Sequence, residues 1–110
     1  LREKEYAEIT DTLNDIWMII VEENWELAKD MTYKVRQKFL GFSKYKKHLF
    51  PDLQFLKFQG LDEALIKLME LTSKNQETDS EEAIQVVSRL QKEVGFFHKT
   101  MQENILNSIK

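Results

Sequence analysis

Ile9-Thr10-Asp11-Thr12-Leu13-Asn14-Asp15-Ile16-Trp17-Met18-Ile19-Ile20-Val21-Glu22-Glu23-Asn24-Trp25-Glu26-Leu27-Ala28 is the stretch on which the fold turns. Ile9, Leu13, Ile16 and Ile20 are spaced four, three and four residues apart, so they share one stripe of a helix. Polar Glu22, Glu23 and Asn24 interrupt that stripe, and the apolar phase then changes to Ala28, Met31, Val35, Phe39 and Phe42, which predicts a turn between two helices. Asn24 can cap the second helix by accepting from a backbone N–H two or three residues on, with Glu26 favoured by the positive end of the dipole.

Further along, Pro51 suits the first turn of a third helix, where its missing N–H has no partner to lose. The stripe after it is Phe58, Leu61, Leu65 and Leu68, supported by Leu53, Leu56 and Leu71. Gly60 inside it marks close packing against a neighbour or a kink, and close packing is preferred. Thr78-Asp79-Ser80-Glu81 matches a capping box that opens a fourth helix, striped by Ala83, Val86 or Val87, Leu90, Val94, Phe97 and Met101, with Ile105 continuing it. The predicted helices cover about 3–22, 25–47, 52–73 and 79–107.

With 110 residues there is one domain, 1–110. Three glycines and one proline are too few turn-makers for the many short strands of a sandwich or barrel. The expected fold is all-α, a four-helix antiparallel bundle built from two helical hairpins. Cysteine is absent, which removes disulfides and thiolate chemistry. The longest apolar run, Ile16 to Val21, is six residues, far short of a membrane span. The chain opens at Leu1, which suggests an excised or processed piece.

Asn24-Trp25-Glu26-Leu27-Ala28 and Asp79-Ser80-Glu81-Glu82-Ala83 echo each other at a spacing of 55 residues. Each opens the second helix of a hairpin. Val35 and Leu90 stand seven residues beyond the alanines, and Phe39 and Val94 eleven, so the two helices share an apolar ruler. Ala28 and Ala83 are expected at helix crossings. This pattern, a first helix ending in a polar pair, Asn-Trp-Glu-x-Ala opening the second, a leucine-striped third and Asp-x-Glu-Glu-Ala opening the fourth, resembles a family of short membrane-anchored bacterial proteins, mostly from Firmicutes. The resemblance covers about residues 9–97 and implies an extracytoplasmic helical domain behind an N-terminal membrane helix. It implies no catalytic residues, because the family has none assigned.

The only histidines, His48 and His98, lie on different elements, and neither has a glutamate three residues before it, as a di-metal carboxylate bundle needs. His98 with Gln102 or Glu103 offers a weak site at most, and a partly exposed histidine beside an apolar stripe is the expected state. A haem pocket around His98, Phe96, Phe97 and Met101 is disfavoured. No phosphate-cradling loop or nucleophile elbow occurs. Adjacent carboxylates such as Glu22 with Glu23 point apart on a helix. No catalytic, cofactor or metal residue is assigned, and the chain is expected to be no enzyme. Trp17 and Trp25 are read as core or boundary residues. Met18 and Val21 lie off the main stripe, which means either deep burial or an exposed contact surface.

Charge is unevenly distributed. Residues 1–28 hold two basic and eight acidic side chains, and residues 29–57 hold eight basic and two acidic. In the basic part, Lys38, Lys44, Lys46, Lys47 and Lys57 mix with Phe39, Phe42, Tyr45, Phe50, Phe55 and Phe58. Lys44, Lys46, Lys47, Lys57 and Tyr45 are the candidate surface for an anionic partner. Compensation of basic helix 2 by acidic helix 1 is the favoured alternative. The leading expectation is a non-enzymatic helical interaction module with a protein partner, the extracytoplasmic part of a membrane-anchored bacterial protein. A cytosolic adaptor binding an anionic membrane or nucleic acid through segment 34–58 comes second, and a small-ligand or metal sensor third.

Overall fold

The computed structural model describes the backbone of residues 3–46, 51–74 and 79–109 and the side chains of residues 4–40, 60–74, 79–100, 102 and 103. Four helices account for nearly all of that backbone: α1 (Glu3–Val21), α2 (Trp25–Lys46), α3 (Pro51–Ser73) and α4 (Ser80–Ile109). The expected boundaries agree to within two residues, and Pro51 is the first residue of α3. With 30 residues, α4 is about 45 Å long and runs most of the 51 Å long axis.

Local hydrogen bonds explain the α1–α2 turn. The Asn24 N–H donates to the Ile19 carbonyl at 3.1 Å and the Glu23 N–H to Ile20 at 2.9 Å, the paired bonds of a Schellman motif. That motif needs a left-handed residue just past the helix, and Glu23 takes the position with φ 61°. The next helix starts at once. Asn24 Oδ1 accepts from the Leu27 N–H at 3.3 Å and the Asn24 carbonyl from Ala28 at 3.0 Å, as expected of an N-cap. At α4 the side-chain cap is Asp79, whose Oδ1 accepts from the Glu81 N–H at 2.9 Å while its carbonyl accepts from Ala83. This puts the cap one residue past Thr78, the cap that the box predicts. Thr78 lies outside the described residues.

The helices pack as a ring in which α1 neighbours α2 and α4, and α3 neighbours the same two. Tyr6 meets His98 and Asn14 meets Gln91, so the α4 partner moves back along its helix as the α1 residue moves forward, and Lys67, late in α3, meets Glu82, early in α4; these neighbours run antiparallel. Every described member of the expected first stripe is buried: Ile9, Leu13, Ile16 and Ile20. In α2 the buried set among the described residues is Trp25, Ala28, Thr32, Val35 and Phe39, with Met31 half-buried. In α4 Val87 rather than Val86 takes the core position. Phe39 and Phe97 meet edge to face across the bundle, centroids 5.9 Å apart at 87°. Phe42, Leu53, Leu56, Phe58, Met101 and Ile105 have side chains outside the described residues.

The 55-residue echo extends through both hairpins. Ile9, Leu13 and Ile16 of α1 correspond to Ala64, Leu68 and Leu71 of α3, and Ala28, Thr32, Val35 and Phe39 of α2 to Ala83, Val87, Leu90 and Val94 of α4. All fourteen are buried. The ring of neighbours is also the one that a twofold axis along the bundle would generate.

One expectation finds no support among the described residues, and one feature of the core was not anticipated. Among the described residues nothing approaches Gly60 closely: a Cβ there would sit 3.7 Å from Glu93 Oε2, ordinary contact with the tip of a flexible side chain. Thr32 and Thr72 occupy the core although polar, because each hydroxyl donates to the carbonyl four residues back, Ala28 at 2.7 Å and Leu68 at 2.9 Å.

Two substitutions test this account. Leucine at Ala28 or Ala83, both fully buried, should overpack the seam and cost about 1–3 kcal/mol in denaturant melts. Glu23→Gly should raise stability by about 0.5–1 kcal/mol, because glycine enters the left-handed region without a Cβ clash.

Candidate functional site

The basic segment is the first place to look, and one of its charges is committed to the fold. Arg36 Nε donates to Asp62 Oδ1 at 2.8 Å and Nη2 to Asp62 Oδ2 at 3.3 Å, a two-pronged pair between α2 and α3 with both side chains about three-quarters buried. The hydrogen bond to Asp62 raises the Arg36 pKa above its ordinary value. Burial opposes the rise, and the charges of Asp62 and Tyr33 add to it. The expected compensation by α1 takes a different form, since Arg36 projects from the flank of α2 that faces α3. Lys34 and Lys38 are exposed, with no ion pair to α1 among the described residues. Lys44, Tyr45, Lys46 and Lys57 lie on the helical backbone of α2 and α3, but their side chains, and all of Lys47 and His48, fall outside the described residues.

His98 differs from expectation too. It is 6% exposed rather than partly open, its Nδ1 is shielded from solvent, and its ring stacks on Tyr6 with centroids 4.1 Å apart and planes 3° from parallel. The reason is that His98 projects from the flank of α4 beside α1, where the Tyr6 ring covers it. No group of three or more His, Cys, Asp or Glu side chains converges as a metal site would among the described residues.

Apolar exposure is the more informative feature. At the α1–α2 turn Met18 is 58% exposed, Val21 53% and Leu27 43%. Met18 and Val21 are one helical turn apart on α1, and Leu27 is in the first turn of α2. Trp17 is half-buried beside them, while Trp25 is buried in the core. Tyr33 and Ile66 are also exposed, on the α2–α3 side. There an open groove of about 610 Å³ is lined by Arg36, Ile66, Met69, Glu70, Ser73 and Lys74.

No protein-family model, curated protein or solved structure matches this chain. The two hairpins can, however, be compared with each other. At the 55-residue spacing Met18 corresponds to Ser73, Val21 to Gln76, Leu27 to Glu82 and Tyr33 to Ser88. The second hairpin thus has a polar residue at each position where the first exposes a large apolar one. Neither the hairpin nor its packing in the ring requires apolarity there. Sequence reading had left Met18 and Val21 open between burial and contact, and the structure puts both at the surface. Leu27 was missed, although its position outside the Ala28, Val35, Phe39 stripe could have signalled it.

The Arg36–Asp62 pair can be tested directly. A double-mutant cycle with Arg36→Ala and Asp62→Ala should return a coupling of about 0.5–1 kcal/mol at low salt, falling at high salt. Reversing Lys34 and Lys38 to glutamate should change stability by no more than about 0.5 kcal/mol.

Proposed function

We propose that this domain is a non-enzymatic interaction module that binds a protein partner through the apolar side chains exposed at its α1–α2 turn. The observation that carries the reading is the difference between the hairpins: Met18, Val21 and Leu27 stand where the other hairpin has Ser73, Gln76 and Glu82. Exposed apolar side chains clustered at one end of a well-packed domain lower its solubility, and a contact that covers them is the common reason for keeping them.

The resemblance to membrane-anchored bacterial proteins supports placing the module outside the cytoplasmic membrane, on a chain tethered by a segment upstream of Leu1. Among the described residues no helix is long and apolar enough to cross a membrane, so the tether would have to be a separate segment. A hydrophobic run of about 20 residues in the upstream reading frame would support that placement, and a polar upstream sequence would remove it.

The interaction itself is tested by photo-crosslinking in cells, with the reactive residue placed at 18 or 27 and, as the internal control, at 73 or 82. A discrete protein adduct at 18 and 27, absent at 73 and 82, is the expected result. Equal labelling at all four positions, or none at 18 and 27, would remove the reading.

A further inference from the structure

The apolar side chains at the α1–α2 turn sit in the most acidic part of the molecule. Residues 13–34 and 68–90 hold ten acidic and four basic side chains, and the rest of the chain holds nine acidic and twelve basic. Near Met18, Val21 and Leu27 the acids lie at the surface: Asp15, Glu22, Glu23, Glu26, Asp79 and Glu81 are all exposed. The Ser80 hydroxyl donates to Glu23 Oε1 at 3.5 Å, which brings the start of α4, with Asp79 and Glu81, alongside the turn. None of these six carboxylates is in an ion pair among the described residues.

An apolar patch rimmed by unpaired carboxylates discriminates among occupants. A wholly apolar surface would strip water from the acids and return nothing. An acidic surface would be repelled. A segment with an apolar face flanked by lysine or arginine satisfies both parts, its alkyl stems covering the patch while the charged heads reach the carboxylates. We infer that the α1–α2 turn docks a cationic amphipathic segment of the partner protein, with apolar side chains against Met18, Val21 and Leu27 and basic ones against Glu22, Glu23 and Asp79. The inference rests on the interaction-module reading and adds the chemistry of the partner.

Three synthetic helical peptides with the same leucine face and a polar face of lysine, glutamine or glutamate separate the outcomes, titrated against the intact domain by calorimetry or fluorescence anisotropy. The lysine peptide should bind at least about tenfold tighter than the glutamine peptide, the glutamate peptide weakest, and the preference should shrink as salt rises from about 50 to 200 mM. Met18→Ser with Leu27→Gln should weaken the lysine peptide about tenfold or more, and Glu22→Gln with Glu23→Gln should weaken it and reduce its salt dependence. Lys38→Gln, on the opposite half of the bundle, should do neither. All five positions are exposed, and thermal melts check that each variant stays folded. Equal binding of the three peptides, or binding that survives both double substitutions, overturns the inference. The crosslinked partner of the preceding test would stand in that case, so the two failures are distinguishable. Salt-sensitive self-association of the domain alone, lost in the same variants, would make the occupant a second copy and overturn the inference as well.

Discussion

Each helix of this bundle has one apolar stripe, and no stripe can be covered within a single hairpin. The stripe of α1, Ile9 to Ile20, leans on both α2 and α4, and Phe39 of α2 reaches across the bundle to Phe97 of α4. Burying a leucine, isoleucine or phenylalanine side chain stabilises by about 1.5–3 kcal/mol, so the seam outweighs the surface ion pairs many times over. Ala28, Ala64 and Ala83, all fully buried, leave the room for four helices to close on one seam. Which side chains face water, and at what rotation, follows from that closure.

Charge is arranged around the same seam. α2 holds six basic and two acidic residues and lies between α1, with five acidic and one basic, and α3, with four acidic and two basic. Its positive field is therefore opposed on both flanks. Among the described residues, opposition becomes a direct pair only on the α3 flank, because Arg36 and Asp62 are brought to 2.8 Å there. Lys67 and Glu82 join α3 to α4 at 3.8 Å with both side chains about half exposed, a pair that contributes little. The turn end of the molecule is acidic, which matters for what approaches it more than for whether it folds.

The near-duplication of the hairpins separates structure from use. Where both copies are apolar, as at Leu13 and Leu68 or Val35 and Leu90, the fold demands it. Where they differ, as at Met18 and Ser73 or Leu27 and Glu82, the fold accepts either. The acids at the turn can be read the same way. Asn24 and Asp79 are both caps, whose side-chain oxygens accept backbone N–H groups, and Asp15, Glu22 and Glu26 correspond to Glu70, Glu77 and Glu81, so of these acids only Glu23, opposite Thr78, is peculiar to the first hairpin.

The amino-acid sequence by itself determined the four helices, their ends to within two residues, the Asn24 cap and the stripes that fill the core. Those features depend on interactions within about four positions of one another, and such neighbours are visible in a string of letters. What the tertiary structure alone decided is how far each helix rotates about its axis and which neighbour it meets. That rotation turned Arg36 to Asp62 rather than to α1, put His98 under the Tyr6 ring, chose Val87 over Val86, admitted Thr32 to the core, and left Met18 and Val21 in water. None of these could be read locally, because the rotation of one helix is set by the simultaneous fit of the stripes of its two neighbours, and a residue on the edge of a stripe goes in or out with a turn of a few tens of degrees.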